Sequence, residues 1–123
     1  MLDRIHHNAE LVQSVAHNHL GVEVGFDRAA VEWLDGYVTR QHDHGDPDNV
    51  KGLVSALGSF LGECIVQTYG GEWVEDAHDW GIRFDEQNAV FPYAKVEKHL
   101  RHGPEDSLLS FFDTIPVVFG RGG

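Results

Sequence analysis

Residues 50–73 read VKGLVSALGSFLGECIVQTYGGEW, and this stretch decides the fold. Val50, Leu53, Val54, Leu57, Phe60, Leu61, Cys64 and Ile65 recur at three- and four-residue steps. That spacing places them on one stripe of an α-helix for about four turns. Gly70 and Gly71 then stop the helix, because glycine accepts the left-handed backbone that helix C-termini favour. A central helix over residues 50–69 is therefore predicted, with positive φ at one or both glycines. Gly58 and Gly62 lie four apart on that helix and should admit another backbone closely.

Toward the amino terminus, residues 3–17 read as a first helix with a partial stripe of Ile5, Leu11, Val12 and Val15. Asp27 is a good N-cap for a second helix that runs to about residue 41, with Ala30, Val31, Trp33, Leu34, Tyr37 and Val38 inward. Gly36 inside it calls for a close helix contact to offset its cost of about 1 kcal/mol against alanine. The loop HDHGDPDN at residues 42–49 breaks the helix at Gly45 and Pro47, and Asp48 or Asn49 caps the next one.

Toward the carboxy terminus the period changes from helical to alternating. Residues 72–75, 80–84 and 89–91 read as three short strands, with a polar turn at residues 85–88 suited to a hairpin. Pro92 opens a helix to about residue 100, with Val96 and Leu100 inward. Pro104 starts a last helix carrying Leu108, Leu109, Phe111, Phe112 and Ile115, and Pro116 is expected to end it. Residues 120–123 read as a flexible tail. The fold expected is a single α+β domain over residues 1–123, with helices packed on a small three-stranded antiparallel sheet.

The chain carries 20 acidic residues against 9 Lys and Arg, a formal net charge of −11. Such a surface repels phosphate backbones and anionic lipid, so no nucleic-acid and no membrane partner is expected. A basic protein would be steered toward it. Residues 1–18 carry charges and histidines where a secretory leader has an apolar core, and a cytoplasmic location is the default expectation. The single cysteine, Cys64, lies on the apolar stripe and reads as a small buried hydrophobe.

Nine histidines invite a metal reading. His42 and His44 share one loop with Asp43, Asp46 and Asp48, and imidazole and carboxylate suit zinc or nickel. The loop lacks the spacing of a closed site, and its residues suit solvated capping better; no cofactor is expected. His6 and Glu10, like Asp3 and His7, are four apart on the first helix, without the HExxH pattern. Glu63, beside the stripe, is expected to bond a nearby backbone, tyrosine or tryptophan rather than to serve as an acid or base. Neither a catalytic triad, a phosphate-binding glycine loop nor a CxxC pair can be read here.

Two stretches carry a resemblance. Leu61-Gly62-Glu63 with Gly70-Gly71-Glu72-Trp73 forms one motif, and Phe91-Pro92, Lys95, Lys98, Gly103 and Glu105-Asp106-Ser107-Leu108 form the other. Together they resemble small uncharacterised bacterial proteins in which a helix, a short sheet and a helical carboxy-terminal segment follow in that order. The resemblance spans residues 50–112 and implies a fold without assigning a reaction.

The expected function is that of a small acidic protein-binding module, an inhibitor or immunity-type partner of a basic protein. Glu72, Glu75, Asp76 and Asp79, with Asp43, Asp46 and Asp48, would supply the steering charge. Trp80 leads the candidate anchors, followed by Trp33, Tyr37, Trp73 and Tyr93. The alternatives are a metal-binding protein or metal-dependent enzyme built on His42 and His44, and a structural homodimer subunit. Convergence of three histidines in space would favour the metal; scatter would favour binding.

Overall fold

Helix α3 (Val50–Tyr69) is the axis of the computed structural model, which describes residues 2–45, 47–75 and 79–119. Every residue from 57 to 65 is buried, so the middle of α3 is enclosed on all sides. Val50, Leu53 and Val54 are half-buried; the stripe reaches full depth only from Leu57 onward. Helices α1 (Leu2–Leu20) and α4 (Pro92–His102) pack most extensively against it, and α2 (Arg28–His44) joins α3, α4 and α5 (Leu108–Phe119). Among the described helices α3 alone is long and apolar enough to cross a membrane by length and composition. Half of its apolar window is buried here, as in the core helix of a globular domain.

Strands β1 (Glu72–Glu75), β2 (Trp80–Arg83) and β3 (Ala89–Val90) form an antiparallel meander in the order β1-β2-β3. The architecture is α+β, as expected. The register sets Glu75 opposite Trp80 and Trp73 opposite Ile82. Asp85 makes the turn by accepting bonds from the backbone N–H groups of Gln87 and Asn88.

Gly70 and Gly71 have φ of 86° and 95°. Gly70 also has ψ of −160°, a combination that essentially only glycine adopts, and its N–H closes the helix on the Val66 carbonyl. A Cβ on Gly71 would meet Ile82 and Phe84 at 2.9 Å, so this glycine also lets the sheet fold tightly against the helix end.

Several expectations are corrected. Gly58 and Gly62 receive aromatic rings, not a backbone: a Cβ on Gly58 would clash with Tyr93, and one on Gly62 with Trp73. At Gly36 a Cβ would meet the side chain of Arg40 and, among the described residues, no neighbouring helix within 4 Å, so no close helix contact there offsets its cost. Helix α1 buries Ile5, Ala9, Val12 and Ala16, while Leu11 and Val15 stay 46% and 40% exposed. Close packing of α1 on α3 selects the two alanines over the bulkier side chains. Residues 104–106 form a separate 3₁₀ turn, and α5 begins at Leu108 with the Ser107 hydroxyl accepting from Ser110 N–H. Pro116 lies inside α5, which continues to Phe119. The tail at residues 120–123 lies outside the described residues.

Candidate functional site

A cleft of about 370 Å³ opens between α1 and α4 over the first turns of α3. That volume lies in the range of small-ligand and side-chain pockets, ~300–1,000 Å³. Arg4, Ile5 and Asn8 come from α1; Val50, Lys51, Val54 and Ser55 from α3; Tyr93 and Glu97 from α4; and Asp79 and Trp80 from the start of β2.

Local sequence explains how each wall is held. Gly58 lets the Tyr93 ring lie on α3, and Tyr93 Oη sits 2.7 Å from Ser59 Oγ. Ser59 spends its hydroxyl hydrogen on the Ser55 carbonyl, so Tyr93 must be the donor in that pair. Burial pushes the Tyr93 hydroxyl above its ordinary pKa despite the bond to Ser59, so it stays protonated and donating. Asp79 accepts a 2.8 Å bond from the backbone N–H of Trp80, which fixes the corner of the cleft. The indole Nε1 of Trp80 is buried with no hydrogen-bond partner among the described residues.

Glu63 anchors the next layer. Its Oε1 accepts from Trp73 Nε1 at 3.0 Å and lies 3.1 Å from His6 Nε2, while Gln67 Nε2 approaches Oε2 at 3.4 Å. A tryptophan is therefore its partner, one of the three kinds of group expected. This bond holds Trp73 in the notch at Gly62.

The histidines scatter. His6 is on Glu63, His17 on Glu23, and His42 Nδ1 is 2.8 Å from the Leu100 carbonyl oxygen. His44 is exposed, and His78 lies outside the described residues. Among the described residues no three His, Cys, Asp or Glu side chains converge to hold a metal. Burial pushes the Cys64 thiol well up, which makes it a poor nucleophile.

His99, three residues before His102, reads in the sequence as a capping or surface residue at the end of a helix, and the structure corrects this by burying it. His99 is fully buried, with Nε2 2.7 Å from Thr39 Oγ1. Its Nδ1 lies 3.6 Å from Asp35 Oδ1, beyond hydrogen-bond length. Asp35 instead accepts from Ser107 Oγ and Leu109 N–H and so caps α5. The signal was present: Pro92, Val96 and His99 follow at four- and three-residue steps on one stripe of α4. Desolvation lowers the His99 pKa below 6.5; Asp35 and Asp106 oppose the shift and His42 adds to it. The folded state thus binds this proton less readily than the unfolded chain. Its contribution to stability is fully present above about pH 6.5 and is lost as pH falls through that value toward the folded pKa. Urea unfolding from pH 8 to 5 should show this decline, and His99→Gln should flatten it. An unchanged slope in His99→Gln would assign the effect to other groups.

Of the acidic residues singled out by sequence, Glu72 and Glu75 are exposed on β1, and Asp79 is half-buried in the cleft. Glu72 is tied to Arg83 at 3.1 Å. Asp43 and Asp48 are exposed at the α2–α3 junction, and Asp48 stands just before the cleft residues Val50 and Lys51. Asp46 and Asp76 lie outside the described residues. Trp80 joins Asp79 in the cleft; Trp33 and Tyr37 stack on each other at 5.5 Å elsewhere. Comparison with models of protein families, with characterised proteins and with solved structures finds no match.

Proposed function

We propose that this protein is a binding module for a basic segment of a protein partner, received in the cleft between α1 and α4. The observation that carries the reading is an aromatic-walled cleft in which two carboxylates distant in sequence, Asp79 and Glu97, stand with Trp80 and Tyr93. Asp79 and Trp80 form one wall, and Tyr93 and Glu97 of α4 form another. A cationic side chain entering there would meet the Asp79 carboxylate and the faces of Trp80 and Tyr93. Arg4 and Lys51, on the other walls, suit carbonyl or carboxyl groups of the same segment. An acceptor on the partner that reached Trp80 Nε1 would satisfy a buried donor whose isolation costs about 1–3 kcal/mol. The net charge of −11 supplies long-range attraction.

Kinetics on the protein that co-purifies from the source organism test this. Association should slow about tenfold or more as salt rises from low to high, with dissociation changing less. Replacing Glu72, Glu75 and Asp79 by their amides should slow association, and Trp80→Ala should speed dissociation, both without unfolding the chain. Rates indifferent to salt together with an unaffected Trp80→Ala complex would overturn the reading, as would turnover of a small molecule with no bound protein.

A further inference from the structure

On another side of the molecule the sign of the surface reverses. A groove of about 380 Å³ runs between α4 and α5 beside β3. Lys95 and Lys98 line it, and they are two of the three lysines in the whole chain. They are three apart on α4 and so share a face. Among the described residues no acidic side chain lines the groove. Among the described residues neither lysine has a carboxylate within ion-pair distance, although the chain has 20 acidic residues to offer. Lys95 Nζ instead lies over the Phe111 ring, 5.1 Å from its centroid. The rest of the lining is mostly apolar: Phe91 is 36% exposed and Val118 is 67% exposed.

The groove also borders the open edge of the sheet. β3 pairs with β2 alone among the described strands. The Phe84 N–H bonds the Asn88 carbonyl, and Val90 sits opposite Ile82 in the same ladder. Hydrogen-bonded pairs alternate along an antiparallel ladder, so the backbone groups of Ala89 face away from β2. An extended segment lying there can pair with them and alternate its side chains between the groove and solvent.

We propose that this groove is a second docking surface, independent of the cleft, that receives an extended acidic segment of another protein carrying apolar side chains. Charge complementarity selects the occupant: two lysines with no ion pair among the described residues attract carboxylates, and the Phe91, Phe111 and Val118 surface takes the apolar side chains between them. A concave groove on a chain of net charge −11 suits a peptide better than an anionic membrane, which meets the whole field of the protein. A second copy of this chain would bring eleven net negative charges against eleven.

The test uses the full chain, isotopically labelled, titrated with a short peptide alternating glutamate and leucine and with its lysine–leucine counterpart. The acidic peptide should shift the amides of Ala89, Val90, Phe91, Lys95 and Lys98. Lys95→Glu with Lys98→Glu should weaken binding at least about tenfold, and Arg40→Glu, a reversal of an exposed cation on α2, should leave it within about twofold. If the doubly reversed chain fails to fold by circular dichroism, Lys95→Ser with Lys98→Ser should still weaken binding severalfold. Equal binding of the basic peptide, shifts centred elsewhere, or indifference to the lysine variants would overturn the proposal. So would binding of phosphatidylserine vesicles in place of the peptide, or concentration-dependent self-association lost in the same variant without peptide binding. Because the cleft uses different residues, loss of either surface's binding leaves the other's to be read separately.

Discussion

Gly62→Val should destabilise the protein by about 3 kcal/mol or more, the sum of an overpacking cost near 1–3 kcal/mol and a lost buried hydrogen bond. The added Cβ would run into the Cζ2–Cη2 edge of the Trp73 ring, and Ile82 Cδ1 lies 3.3 Å from the same point. Trp73 cannot withdraw freely. Its indole N–H is committed to Glu63 at 3.0 Å, and its strand is paired to β2. Moving the ring would leave the Glu63 carboxyl, 7% exposed, without that donor. Denaturant unfolding measures the loss, and a double-mutant cycle identifies its cause. In a Trp73→Ala background the notch is empty, so Gly62→Val should cost far less there. A cost below about 1 kcal/mol in the parent chain, or full additivity with Trp73→Ala, would mean that the ring does not depend on the notch.

This notch shows where sequence reasoning reached and where it stopped. The stripe from Val50 to Ile65, the double glycine, the hairpin and the meander were legible because each rests on contacts within a few residues. That Gly62 had a packing purpose was also legible. What filled it was not, since the Trp73 ring arrives through the geometry of a turn that folds β1 back along α3. The same limit misplaced the buried face of α1. Leu11 and Val15 are more hydrophobic than Ala9 and Ala16, yet burial on α3 is decided by how closely two helix axes approach. The exposed pair now edges an apolar hollow with Leu20, Trp33 and Tyr37.

Pro116 taught a different lesson. A proline inside a helix loses one bond, here to the carbonyl of Phe112, and usually ends the run. Its own φ is nevertheless helical, and Phe112 and Ile115 are buried just before it. That anchorage carries α5 past the missing bond to Phe119.

The candidate site was half legible. Asp79, Trp80 and Tyr93 stood out as charge and aromatics, whereas Arg4, Asn8 and Lys51 had no mark in sequence. They enter the cleft only because α1 crosses the start of α3, a contact between residues some 45 positions apart along the chain. The charge count of −11 likewise concealed the basic groove, because a total carries no information about where Lys95 and Lys98 stand.

Phe60→Ala is the other substitution with a large expected effect, about 3–5 kcal/mol. Phe60 is fully buried in the enclosed middle of α3. Its ring meets Phe26 at 5.6 Å with a 49° tilt and Trp33 edge-on at 6.2 Å and 82°. Truncation removes the transfer energy of the ring, leaves a cavity that the rigid neighbours fill incompletely, and strips two aromatic contacts worth about 0.5–1.5 kcal/mol each. Phe111→Ala is the matched control: its ring is half-buried at the α4–α5 groove, so it should cost clearly less. Urea unfolding of the two variants side by side gives the comparison. The ordering Phe60 above Phe111 is what a core centred on α3 requires. If Phe60→Ala cost less than about 1 kcal/mol, Phe26 and Trp33 would have to close the hole, and the middle of α3 would be a collapsible surface where the burial of residues 57 to 65 demands a close-packed one.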